Sequence, residues 1–115
     1  MVTQNSIKRK NPEYSLTRIK ELAANGKVIY GSQNVHRDIA NLSYSLSDVS
    51  QCLNALEPHH YLESTLYENT RIWLDVYLCS WHKEGGTIDP LYIKLKLNKD
   101  CITIVLASFH REGSL

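Results

Sequence analysis

Cysteine is scarce in this 115-residue chain, which holds only Cys52, Cys79 and Cys101. An odd count without a C-x-x-C pair is no disulfide framework and points to buried free thiols in a reducing compartment. The five histidines show no H-x-x-x-H spacing, and the adjacent His59 and His60 are poorly placed to chelate one ion from a regular element. Neither a metal nor another cofactor is expected. No apolar run approaches the length of a membrane span, and the polar N-terminus Met1-Val2-Thr3-Gln4-Asn5 has no signal-peptide core behind it. The reading is a cytoplasmic protein without a membrane partner. Formal net charge is only +1, so any nucleic-acid contact must use a local patch rather than a broad basic field. Repeats, low-complexity tracts and linkers are also missing. With 43% hydrophobic and 22% charged residues, the composition is that of one folded domain over residues 1–115 with one core.

What the chain does have is a C-terminal half built of short runs rich in β-branched and aromatic residues. Arg71–Leu78, Leu91–Leu97 and Cys101–Phe109 are each bounded by turn formers, the pattern of strands. Gly85 and Gly86, between Lys83 and Thr87, can supply the positive φ of a tight hairpin, and Asn98-Lys99-Asp100 makes the next link. Neither link is long enough for a crossover helix, which predicts a three-stranded antiparallel meander. In the middle run Leu91, Ile93, Leu95 and Leu97 alternate with Tyr92, Lys94 and Lys96, giving one core face and one polar face.

The N-terminal half has helical periodicity. Leu16, Ile19, Leu22 and Ala23 form one stripe, with Ser15 or Thr17 as cap and Gly26 as stop. Ser32 caps a second stripe of Val35, Ile39 and Leu42, and a third follows Ser47 with Val49, Cys52, Leu53 and Leu56. Lys27–Tyr30 fits either a short edge strand or a loop, and Pro58 ends the third helix or opens a new turn. The basic cluster Lys8-Arg9-Lys10 reads as part of a solvated, flexible arm over residues 1–13. Helices first and strands afterwards predict an α+β domain, with helices packed on one face of an antiparallel sheet.

The order I-W-x-D-V-Y at Ile72–Tyr77, followed by Leu91-Tyr92-Ile93-Lys94 and by Ser108-Phe109-His110, resembles the MqsR family of toxins. Leu16–Leu22 and Asn25–Val28 fit that family's first helix and turn, and His60–Ser64 loosely matches its D-F-Y-K-S segment. The resemblance implies a RelE-like α+β fold and the toxin of a type II toxin–antitoxin system. It implies a ribosome-independent, metal-independent mRNA endoribonuclease, silenced by a separate antitoxin protein. The family's site combines a lysine in D-F-Y-K-S, a glutamine in I-W-Q-D-V-Y, a strand tyrosine and a lysine after the terminal S-F. This chain keeps the tyrosine as Tyr92. It carries Glu63 (or Leu62, if the alignment slips by one), Leu74 and His110 at the other three positions.

Metal-free cleavage needs a base for the ribose 2′-hydroxyl, an acid for the leaving 5′-oxygen and donors around the phosphorane. His110, of a type that titrates near neutrality, suits the acid, and Glu63 or His60 the base. Tyr92, Lys94 and Arg111 are candidate stabilisers, and Lys96 adds a further cation for RNA phosphate. Ordinary structural roles stand beside these: a solvated strand face for Tyr92, Lys94 and Lys96, a surface position for His110, and a helix-surface carboxylate for Glu63. Trp73 is expected in packing, and Asp75 against a nearby backbone or basic group. A relative that keeps antitoxin binding without cleaving free RNA, or one that needs the ribosome, also fits the sequence.

Overall fold

The computed structural model describes residues 5–83 and 85–113. The first four residues of the expected arm, and Glu84 in the expected hairpin link, lie outside them. The elements run β1 (Ser6–Arg9), α1 (Leu16–Ala24), β2 (Val28–Tyr30), α2 (Gln33–Asn41), α3 (Leu46–Asn54), a 3-10 turn Pro58–His60, β3 (Tyr61–Tyr67), β4 (Ile72–Lys83), β5 (Thr87–Leu97) and β6 (Ile104–Arg111). Six strands form one sheet in the order β1-β3-β4-β5-β6-β2. The fold is α+β, with β4, β5 and β6 making the expected meander.

Local chemistry sets the helix starts. Ser15, not Thr17, caps α1 by accepting from the Arg18 N–H at 3.2 Å, and Gly26 follows its end at φ 68°. Ser32 caps α2 as expected. The third helix starts earlier than its periodicity indicated. Ser45 and Asp48 form a reciprocal capping box that satisfies two backbone donors and fixes the start at Leu46.

The three helices cover one face of the sheet. Ile19, Leu22, Val35, Ile39, Val49 and Leu53 interlock there with Leu91, Ile93 and Leu95 of β5 and with Tyr77, Leu106 and Phe109. Each fully buried aliphatic side chain of this kind contributes roughly 2 kcal/mol. Gly85 and Gly86 take φ of 105° and 90° in the β4–β5 hairpin, as a tight turn demands.

Four expectations are corrected. Residues 6–9 are no arm but an edge strand, paired antiparallel with β3 from Ser6 opposite Tyr67 to Arg9 opposite Ser64. Its cations are engaged: the Arg9 guanidinium lies 3.9 Å from the Trp73 ring centroid and bonds Glu13, while Lys10 donates to the Leu62 carbonyl. Charge on an edge strand discourages pairing with other chains, which is why the run looked solvated. Second, of the two readings of Lys27–Tyr30 the edge strand holds, as Val28–Tyr30, but it runs parallel to β6, so the sheet is mostly and not wholly antiparallel. Third, the last strand is Ile104–Arg111 rather than Cys101–Phe109. Asn98 accepts from the N–H groups of Ile102 and Thr103, holding residues 98–103 in a turn. Fourth, the free thiols are not all buried: Cys52 is, Cys79 is partly so, and Cys101 is exposed.

Candidate active site on the open face of the sheet

Residues opposite one another on antiparallel strands share a face, so the register assigns the side opposite the helices. Tyr92 of β5 pairs with His110 of β6 and Leu78 of β4; Lys94 pairs with Ser108 and Val76; Lys96 pairs with Val105. Val76 also faces Glu63 of β3, whose own alternation adds Thr65 and Tyr67. Lys8 of β1, opposite Thr65, completes the row. Glu63, Lys94, Tyr92, His110 and Lys96, drawn from sequence positions far apart, thus lie on one surface. Glu63 stands on a strand and not on a helix.

These side chains touch in two groups. The Tyr92 and His110 rings are stacked, 5.2 Å between centroids and 12° from parallel. Beside them the Lys94 ammonium donates to the Tyr67 hydroxyl at 2.8 Å and lies 5.2 Å and 6.0 Å from the Tyr67 and Tyr92 ring centroids. Burial, the largest single influence on Lys94, pulls its pKa down. The hydrogen bonds and nearby oxygens of Tyr67 and Tyr92 together outweigh it, leaving the ammonium above its ordinary value and charged at neutral pH. The second group is the ion pair of Glu63 with Lys8 at 3.2 Å. Lys96 points the same way without a side-chain hydrogen bond or ion pair among the described residues.

His110 Nδ1 lies 2.8 Å from the Arg111 carbonyl oxygen. A carbonyl can only accept, so Nδ1 carries hydrogen and Nε2 keeps the lone pair in the neutral ring. Nε2 is therefore the nitrogen available to take or return a proton. Glu63 stands two strands from Lys94, about 10 Å by the usual strand spacing. Lys94 lies between the carboxylate and the imidazole.

Two candidates fall elsewhere. Arg111 is opposite Leu91 on the helix-covered side, and its guanidinium is paired with Asp89. Because β6 runs through residue 111, neighbours His110 and Arg111 must point to opposite faces. His60 lies in the 3-10 turn, where its Nδ1 accepts from the Glu57 N–H at 2.9 Å and its ring sits 4.1 Å from that of His59. Burial, with His59 and Lys20 nearby, holds its pKa below the ordinary histidine value.

Sequence reasoning missed Tyr67 and Lys8. Counting by twos from Glu63 would have found Tyr67, had Tyr61–Tyr67 been read as a strand. Leu74 also belongs to this face, opposite Thr65. It places an apolar group where the resemblance has a glutamine. Asp75 is fully buried on the other side and accepts from the backbone N–H groups of Glu13 and Tyr14 and from the Ser64 hydroxyl. That is the backbone contact expected of it.

Among the described residues no three His, Cys, Asp or Glu side chains converge as a metal site, and no helix is long and apolar enough to cross a membrane. No curated protein matches the chain. The family model described as motility quorum-sensing regulator, toxin of MqsA, matches residues 11–111, a span that includes every strand of the meander and the open-face residues Glu63, Tyr67, Tyr92, Lys94 and His110. The chain belongs to the MqsR toxin family and is a toxin of a toxin–antitoxin system.

Proposed function

We propose that this toxin is an mRNA endoribonuclease that works in the cytoplasm without a metal or the ribosome and is silenced by an MqsA-type antitoxin. The observation that carries the reading is the stacked Tyr92–His110 pair beside the Lys94–Tyr67 hydrogen bond, on the sheet face that the helices leave open. Glu63 takes the proton of a ribose 2′-hydroxyl, whose oxygen attacks the adjoining phosphorus. His110 enters the step as the imidazolium, with hydrogen on both ring nitrogens, and its Nε2 gives its proton to the departing 5′-oxygen, leaving the neutral ring. The products are a 2′,3′-cyclic phosphate and a 5′-hydroxyl, with no water consumed in this step. Lys94, Tyr92 and Tyr67 offer one full charge and two hydroxyls to the phosphorane oxygens, and such preorganised donors are usually the largest catalytic contribution. Lys96 and Lys8 flank the site for neighbouring phosphates.

Leu74 and Glu63, at positions where the family carries a glutamine and a lysine, favour a second reading: a relative that binds antitoxin or ribosome-held RNA without cutting free RNA. Purified protein incubated with mixed-sequence RNA in excess EDTA separates the two. Cleavage should persist, leave cyclic-phosphate ends and fall about 100-fold in His110→Ala. A folded wild-type protein that leaves free RNA intact would eliminate the proposed activity and leave the second reading standing.

A further inference from the structure

A cavity of about 370 Å³ opens on the far side of His110, between β6 and the first turns of α2. Its walls include Asn34, Arg37 and Asp38 of α2 and Ala107, Ser108 and His110 of β6. It exists because β2 stops while β6 continues. The Gly31 N–H donates to the Leu106 carbonyl at 2.8 Å, so close that a Cβ on Gly31 would stand 2.6 Å from that oxygen. Directly after it Ser32 turns the chain into α2. Ala107 then bulges out of the β5–β6 ladder, since Lys94 and Leu95 face Ser108 and Leu106. Beyond Leu106 the outer edge of β6 therefore has no β2 neighbour, and α2 forms the opposite wall.

His110 stands between the two spaces. One side of its ring is stacked on Tyr92 of β5, and the cavity lies on the side away from β5. We infer that this cavity is a nucleotide subsite: it receives one unstacked ribonucleotide next to the scissile phosphate, with Asn34 and Asp38 reading the base edge and Arg37 meeting its phosphate. The inference rests on the proposed ribonuclease reading and adds to it the residues that set the cleavage sequence. The volume is within the range of small-ligand sites, roughly 300–1,000 Å³. The chemistry is that of single-stranded RNA readout, where a splayed base meets side-chain donors and acceptors along its edge. Asn34 offers both, Asp38 only accepts and Arg37 only donates, so the four bases are not equivalent there. Arg37 is two-thirds exposed, and its Nε is 3.7 Å from Asp38, longer than a hydrogen bond. Among the described residues its donors make no hydrogen bond, and this loose, exposed ion pair leaves them open to a ligand.

Two measurements on the full chain test this. In the first, a randomised RNA is cleaved and the cut positions are mapped. Asn34→Ala and Arg37→Ala should raise KM about tenfold, the loss of one or two polar contacts, and should flatten the base preference at one position beside the cut. Lys99→Ala, which removes an equal charge from the exposed turn before β6, should alter neither. Unchanged KM and preference in both α2 variants would overturn the subsite. In the second, a 2′-O-methyl oligonucleotide, which lacks the attacking hydroxyl, is titrated into wild type and Arg37→Ala. Binding weakened about tenfold by the variant supports the subsite even if free RNA is never cut, so the two readings fail separately. Equal binding by both, or none by either, overturns it.

Discussion

The two faces of the sheet use polar groups in opposite ways. On the covered face the buried carboxylates are saturated from within. Asp75 collects two successive backbone N–H groups and a serine hydroxyl, and Asp89 takes the Tyr44 hydroxyl and the Arg111 guanidinium. Burial of its own ring and the Asp89 contact push the Tyr44 phenol far above its ordinary range. On the open face the groups hold one another only in part: a stacked imidazole keeps a nitrogen free, and an ammonium with three donors is held by two tyrosines, Tyr67 and Tyr92. Saturated polar groups fix a structure, whereas partly satisfied ones are available to a substrate.

Substitutions on the two faces should therefore report through different measurements. Asp75→Ala should give the largest loss of stability, about 3 kcal/mol or more, because it leaves the buried Ser64 hydroxyl and the N–H groups that hold Glu13 and Tyr14 to the sheet without their shared acceptor. A urea midpoint within error of wild type would erase the distinction between the faces. Gly31→Ala should cost about 1–3 kcal/mol by forcing β2 away from Leu106. Tyr67→Phe on the open face should leave the urea midpoint within about 0.5 kcal/mol but slow RNA cleavage about tenfold, through the lost partner of Lys94. The smallest effect concerns His60. Its folded pKa is depressed, so the unfolded chain binds the proton more readily. The stability this histidine confers is complete above the unfolded value of about 6.5 and is lost as pH falls through the folded one. Replacing it with Gln should flatten the stability profile on the acid side, measured as the urea midpoint against pH.

The same contrast shows where a linear sequence is readable. Alternation in β5 exposed both faces at once, since Leu91, Ile93 and Leu95 are unbroken by any bulge on their own strand. The helix stripes were legible because serine caps announce them. The edge strand β1 was not, because Lys8, Arg9 and Lys10 look solvated until Trp73, Glu63 and the Leu62 carbonyl are brought to them by pairing. The direction of Arg111 is hidden because β6 continues past Phe109, and that one further rung turns it to the covered face. Glu63 and Tyr67 share a face only if their segment is extended, and its adjoining histidines and Pro58 obscure that.

The parallel rung between β2 and β6 has a consequence for biosynthesis. β6 is synthesised after every other described strand, yet it occupies a place inside the sheet, between β5 and β2. Without β6, the β4–β5 hairpin carries Tyr92 and Lys94 on its open face. It lacks the ring that stacks on Tyr92, the wall of the cavity and the strand that joins β2 to the meander. The open face is therefore completed only when the last described strand to be made has inserted between two strands made before it.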